Sequence, residues 1–194
     1  HQYRDVQKLY AHLIAFYINQ YAFRDIITTY YAALPFYDPK DSASQASFMK
    51  MTLSLASAYF SLEAYDSASN MYMSLLQYCT PPNQENYATL HGAYQALGAI
   101  MGRISSPDKA LSYLKKGEYV AQQFRDTALF VQALSNIGTL YQERVMFKEA
   151  KEYAFRALSL SEKINNQYAN TGAKFQNNYT IAACLVQENQ PAEA

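Results

Sequence analysis

Apolar positions along this chain return every three or four residues over nearly its whole length, the period of amphipathic helices. The rhythm is clearest between Ala133 and Ala157. There Leu134, Ile137, Gly138 and Tyr141 recur at helical spacing, a short break follows at Arg144–Met146, and Ala150, Ala154 and Ala157 take it up again. Two amphipathic helices joined by so short a break fold back as an antiparallel hairpin, with small residues where they cross.

The unit repeats. Leu97, Gly98 and Met101, then Ala110, Leu114 and Gly117, form the copy before it. Leu55, Ala56 and Tyr59, with Ala68, Tyr72 and Leu75, form another, and Leu13, Ile14 and Tyr17, with Ile26, Tyr30 and Ala33, a first. Ile181, Ala182 and Leu185 open a fifth. The position of Gly138 is thus Ile14, Ala56, Gly98, Gly138 and Ala182, at intervals of 40 to 44 residues. That is a helical-hairpin period. Four of the five are small enough for close backbone approach, and Ile14 fits least, as befits a terminal repeat.

Three residues before each second-helix landmark stand Phe23, Tyr65, Pro107, Phe147 and Pro191. This is the first turn of the second helix, where proline's missing N–H would be unpaired anyway and an aromatic ring plugs the turn. Ser106 and Asp108 flank Pro107 as cap and favourable dipole charge. Pro35 and Pro39, Pro81–Pro82, Arg125–Asp126 and Asn165–Asn166 punctuate the links, with Asp41 and Ser42 ready to cap. The pattern predicts helices over about 3–20, 23–34, 43–62, 65–79, 84–103, 107–123, 127–144, 147–163 and 168–188. With no flexible linker, they form one all-α domain over 1–194, with hairpins at about 3–34, 43–79, 84–123 and 127–163 and an incomplete one at 168–194. Ala194 corresponds to Ala150, so the fifth hairpin is expected to be cut as its second helix starts. Its first helix would then keep an apolar face that further chain covers, and the first residue is His, not Met. The chain reads as a piece of something longer.

Composition changes little. Acidic and basic residues balance at 16 each, so no basic face points to nucleic acid. No apolar run approaches a membrane span, and no leader pattern opens the chain. Cys79 and Cys184 read as buried or unreactive thiols, not a disulfide framework. The compartment stays open between cytoplasm and periplasm; a leader and a membrane helix in flanking segments would place the domain in the periplasm. Tyrosine is abundant, at 19 residues with no tryptophan. Between Lys50 and Arg103 there is no Lys or Arg, while Tyr59, Tyr65, Tyr72, Tyr78, Tyr87 and Tyr94 crowd in. Such a stretch suits a partner surface or a contact between two copies of the chain. Tyr17, Tyr59 and Tyr141 fall on the motif and are expected to fill hairpin cores; for Tyr78, Tyr87 and Tyr94 both readings stand.

The chemistry of catalysis is not spelled out. The chain has no Gly-rich phosphate loop, no His-Glu-x-x-His, no Cys-x-x-Cys and no Gly-x-Ser-x-Gly. His12 and His91 read as surface or packing residues, and the sequon at Asn178–Thr180 falls inside a predicted helix. No catalytic residue, metal or cofactor is expected. The one thread toward an all-helical hydrolase is Glu143 and Glu188, equivalent carboxylates in adjacent repeats.

The order Leu-x2-Ile-Gly-x2-Tyr, then Ala-x3-Ala-x2-Ala, resembles the tetratricopeptide repeat (TPR) over nearly the whole chain, with a period longer than that family's usual length of about 34. The resemblance implies a right-handed superhelix, an α-solenoid of about four and a half repeats. It also implies that the first helix of each hairpin lines a concave face. Residues on those helices that turn away from the Leu/Gly/Tyr stripe are then groove candidates. They are Lys50, Ser57 and Ser61; Gln95, Ala99 and Arg103; Gln132, Ser135, Asn136, Thr139, Gln142 and Glu143; and Gln176 and Tyr179. Side-chain amides both donate and accept, which suits a peptide backbone. A C-terminal carboxylate clamp needs more cations than Lys50 and Arg103 provide beside Asn136. Phrases such as AQQFRDTALFVQALSNIGTLYQE are similar to arrays attached to bacterial sensor kinases and transcription regulators. The expectation is therefore a non-catalytic, protein- or peptide-binding region of such a regulator. The alternatives are a free-standing scaffold or assembly adaptor and, more remotely, the hydrolase.

Overall fold

The structure is a computed structural model that describes residues 2–38, 40–104, 106–164 and 167–188. Its helices are α1 (Gln2–Asn19), α2 (Phe23–Ala33), α3 (Ser42–Ser61), α4 (Tyr65–Tyr78), α5 (Tyr87–Arg103), α6 (Pro107–Gln123), α7 (Thr127–Glu143), α8 (Phe147–Ser161) and α9 (Gln167–Glu188), with a 3₁₀ turn at Leu34–Phe36. The protein is all-α, and among the described residues there is no strand. His1, Pro39, Asn165, Asn166, Pro191 and Ala194, to which the sequence pattern assigned roles, lie outside the described residues.

Phe23, Tyr65, Pro107 and Phe147 are the first residues of α2, α4, α6 and α8, as the aligned turns predict. The largest boundary difference is at α5, which starts at Tyr87 instead of near residue 84. The cause is local: Asn83 Oδ1 accepts from the backbone N–H groups of Glu85 (2.8 Å) and Asn86 (3.1 Å), and Asn86 Oδ1 accepts from that of Asn83 (2.7 Å). Side chains that satisfy these groups hold an Asx turn against the helix.

The chain divides into two compact units, His1–Pro81 and Pro82–Ala194, meeting at the Pro81–Pro82 punctuation. In the first, α1 packs on α2 and α3, α2 on α3, and α3 on α4. Its core gathers Ile14, Ile26, Tyr30, Phe48, Met51 and Leu55. Tyr37 stacks on Phe48 with ring centroids 4.2 Å apart. Tyr17 and Tyr59 are half-buried against this core, in keeping with the motif, and Tyr78 is about half exposed.

In the second unit α5 to α9 pack consecutively, and the first helices of successive hairpins also touch, α5 on α7 and α7 on α9. Aliphatic and small residues dominate: Leu97, Ile100, Ala110, Leu134, Ile137, Ala150, Ala154 and Ala157 are all buried. Gly98 lies where a Cβ would stand 2.6 Å from Leu114, and a Cβ at Gly138 would stand 3.3 Å from the Ala150 carbonyl oxygen. Small residues here let the hairpin helices close. Tyr87 stacks on Phe124 (4.5 Å) and donates to Asp126 (3.1 Å). Asp126 in turn caps α7 through the Leu129 N–H at 3.0 Å. The ring is packing, not free surface.

The turns share one backbone solution. Tyr21, Glu63, Arg125 and Val145 take positive φ of 54 to 61°. The next residue's N–H reaches back five residues, as Ala22 to Tyr17, Ala64 to Tyr59, Asp126 to Ala121 and Met146 to Tyr141. This is a Schellman closure made without the usual glycine. Each side chain accepts a left-handed backbone to satisfy helix-end carbonyls.

A polar groove on the first helices of the second unit

The register of the repeat puts the polar face of α5, α7 and α9 on one side of the second unit, where two cavities adjoin. One, about 360 Å³, is lined by Gln95, Ala99, Arg103, Asn136, Thr139 and Glu143 over Gly98, Gly102, Leu114 and Leu140. The other, about 480 Å³, lies between α7 and α9. It is lined by Gln132, Ser135, Asn136, Thr139 and Gln176 over Ala128, Leu129, Val131, Ile164, Gly172 and Ala173. Asn136 and Thr139 line both cavities, so the two form one groove.

Polar side chains one repeat apart link successive first helices along it. Asn136 Nδ2 donates to Gln95 Oε1 (2.9 Å), and Gln95 Nε2 donates to the Leu114 carbonyl (3.3 Å). Gln176 Nε2 donates to Thr139 Oγ1 (3.0 Å), whose hydroxyl donates to the Ser135 carbonyl (3.1 Å). His91 is completely buried, with Nδ1 3.0 Å from the Gly117 carbonyl and Nε2 3.2 Å from the Gln132 carboxamide. Burial pushes this imidazole below the ordinary histidine value, against the pull of Gly117, Gln132 and Asp126. Asn177, also buried, donates to Ser135 Oγ (2.7 Å) and to the Ala173 carbonyl (2.7 Å). Gly117 makes room for this layer, since a Cβ there would stand 2.2 Å from Gln95 Nε2.

Nine sequence-predicted residues therefore come together: Gln95, Ala99, Arg103, Gln132, Ser135, Asn136, Thr139, Glu143 and Gln176. Gln95 and Ser135 line the groove yet are buried, held by α6 and by α7's own backbone. Gln142 lines neither cavity. Lys50 and Ser57 lie on α3 in the first unit. Lys50 is exposed, while the Ser57 hydroxyl meets Tyr72 OH at 3.2 Å, turning to its own hairpin partner instead of away from it. The carboxylates Glu143 and Glu188 are not paired: Glu143 lines the α5–α7 cavity, and Glu188 binds Lys151 at 2.7 Å.

His91 and Asn177 belong to the buried polar layer behind the groove, and apolar periodicity missed them. The signal available was polar, pairing His91 with Gln132 at 41 residues and Ser135 with Asn177 at 42. Cys79 and Cys184 are buried free thiols. Among the described residues no helix is long and apolar enough to cross a membrane.

The architecture is that of stacked helix hairpins. No protein-family model matches the chain, and no curated protein matches it significantly. Among solved structures it is similar to BtubC (BKLC) from P. vanneervenii, at a TM-score of 0.71 and 14% sequence identity, over 99% of this chain and 85% of that one. At that identity the likeness is one of fold.

Proposed function

We propose that this chain is a non-catalytic, TPR-like repeat domain that binds a peptide or protein segment in the groove of α5, α7 and α9. In this reading it is the interaction or sensory region of a larger bacterial regulatory protein, a sensor kinase or a transcription regulator. One observation carries the binding role. Nine residues selected by repeat register line two adjoining cavities whose walls mix carboxamides with apolar floor, the make-up of a ligand site. The regulatory setting rests on the resemblance of the repeat phrases alone.

Capture from a random peptide library tests the binding role. The wild-type chain is expected to enrich a peptide family that Gln132→Ala with Asn136→Ala no longer retains. Equal capture by the double variant would move the site elsewhere. The regulatory setting is tested by the encoded flanks: a kinase or DNA-binding segment supports it, and a stop directly after Ala194 sinks it.

A further inference from the structure

A backbone carbonyl only accepts hydrogen bonds, so a side chain bonded to one has its polarity decided. Three such carbonyls stand one step behind the groove. The Leu114 carbonyl takes Gln95 Nε2, which turns Gln95 Oε1 toward α7, where it takes Asn136 Nδ2. Asn136 Oδ1 is left over. The Ser135 carbonyl takes the Thr139 hydroxyl proton, so Thr139 Oγ1 accepts from Gln176 Nε2 and Gln176 Oε1 is left over.

The third relay runs through His91. Its Nδ1 faces the Gly117 carbonyl and must carry the proton. In a neutral imidazole Nε2 is then a bare lone pair. Complete burial keeps this imidazole neutral. The Gln132 carboxamide meets Nε2 through its Oε1 position, yet two acceptors cannot bond. A half-turn of the carboxamide exchanges its ends, gives its N–H to His91 and releases its oxygen to the groove. Asn177 repeats the pattern inside: with both bonds made through Nδ2, its buried Oδ1 has no partner among the described residues.

We propose that Gln132, Asn136 and Gln176 present a row of carbonyl oxygens to the groove. Its ligand is then a peptide strand that offers main-chain N–H groups and sets an uncharged, apolar side chain in the α7–α9 cavity. This rests on the groove-binding reading above and names its ligand. The apolar side chain follows from the walls: Leu129, Val131, Ile164 and Ala173 line that cavity and no charged residue does, so an ion there would lose water without a counter-charge.

Two measurements on the full chain test it separately. Nitrogen-15 NMR at neutral pH reads the His91 tautomer without any ligand. A neutral ring protonated at Nδ1 is expected, and a ring protonated at Nε2, or an imidazolium, overturns the acceptor row. Peptides selected from the random library as retained by the wild type but not by the Gln132→Ala, Asn136→Ala variant are then remade with single main-chain N-methyl groups. Each methyl that removes a groove-facing N–H is expected to weaken binding about tenfold, and a charged residue at the anchor position to abolish it. Binding indifferent to N-methylation overturns the acceptor row while leaving groove binding intact. A library that yields no groove binder overturns the binding reading, and the ligand assignment with it.

Discussion

The two units build the same hairpin from different chemistry. In the first, aromatic rings fill the helix contacts: Tyr30 and Phe48 have centroids 5.7 Å apart, and Tyr37 stacks on Phe48. Two buried tyrosines pair with hydroxyls of α3, Tyr30 OH with Thr52 at 3.2 Å and Tyr72 OH with Ser57 at 3.2 Å. Burial raises both phenols above the ordinary tyrosine value, so they stay neutral partners within the fold. In the second unit Gly98, Gly117 and Gly138 bring backbones close, and carboxamides link the first helices. The Thr52 and Ser57 hydroxyls give their protons to the Phe48 and Leu53 carbonyls and meet the two phenols with their oxygens, so these pairs are taken up inside the fold, whereas a carboxamide tied through nitrogen still has an oxygen to offer. That difference gives the second unit a groove chemistry that the first unit's pairs do not supply.

Breaking the aromatic side has the largest expected effect. Phe48→Ala should cost about 3–5 kcal/mol. Hydrogen exchange should show lost protection in α1–α4 with α5–α9 retained; equal loss in both units would erase the contrast. Gly117→Ala strikes the carboxamide side, driving a Cβ into the Gln95 carboxamide; the displaced hydrogen bonds should cost about 1–3 kcal/mol, offset by the roughly 1 kcal/mol that alanine gains over glycine inside a helix. It should free the Asn136 side-chain amide, and an unchanged Asn136 amide signal would contradict the relay from Leu114.

The buried His91 sets a pH dependence on the same side. Its folded-state pKa lies below the unfolded value, so between the two the unfolded chain binds more protons and stability rises with pH. The contribution is complete above the unfolded value, about 6.5, and is lost as pH falls through the folded one. Urea midpoints should decline on acidification across that window, and less so in His91→Asn. Identical slopes would mean His91 does not titrate differently on folding.

The smallest effect sharpens what the units share. Val145 is a β-branched residue at φ 61° and is largely exposed. Val145→Gly should stabilise by about 0.5–1 kcal/mol, the left-handed strain relieved less the glycine entropy. A loss of stability in urea unfolding would show that the turn is not strained.

Much of the fold was legible because helical periodicity and the first residue of each second helix are local. Phe23, Tyr65, Pro107 and Phe147 all begin helices as read. The Asn83–Asn86 turn was not, since it depends on which N–H groups two side chains capture. Most of the candidate site was legible too, because a polar face on an amphipathic helix is a register property. Gln95 and Ser135 show the limit: the face was right, but only packing reveals that α6 and α9 bury them. His91 and Asn177 were hidden by a different cause. A polar residue in a core position looks like noise in apolar periodicity, and its partner is a repeat away.

In the proposed binding mode the side-chain carboxamides of the second unit are the surface that meets the peptide. Titrating nitrogen-15-labelled full chain with a library-selected peptide tests this most directly. The side-chain amide signals of Gln132, Asn136 and Gln176 should move together and saturate at one affinity, while those of Gln20 and Gln77 in the first unit stay still. Saturable binding that leaves those three signals unmoved would contradict it.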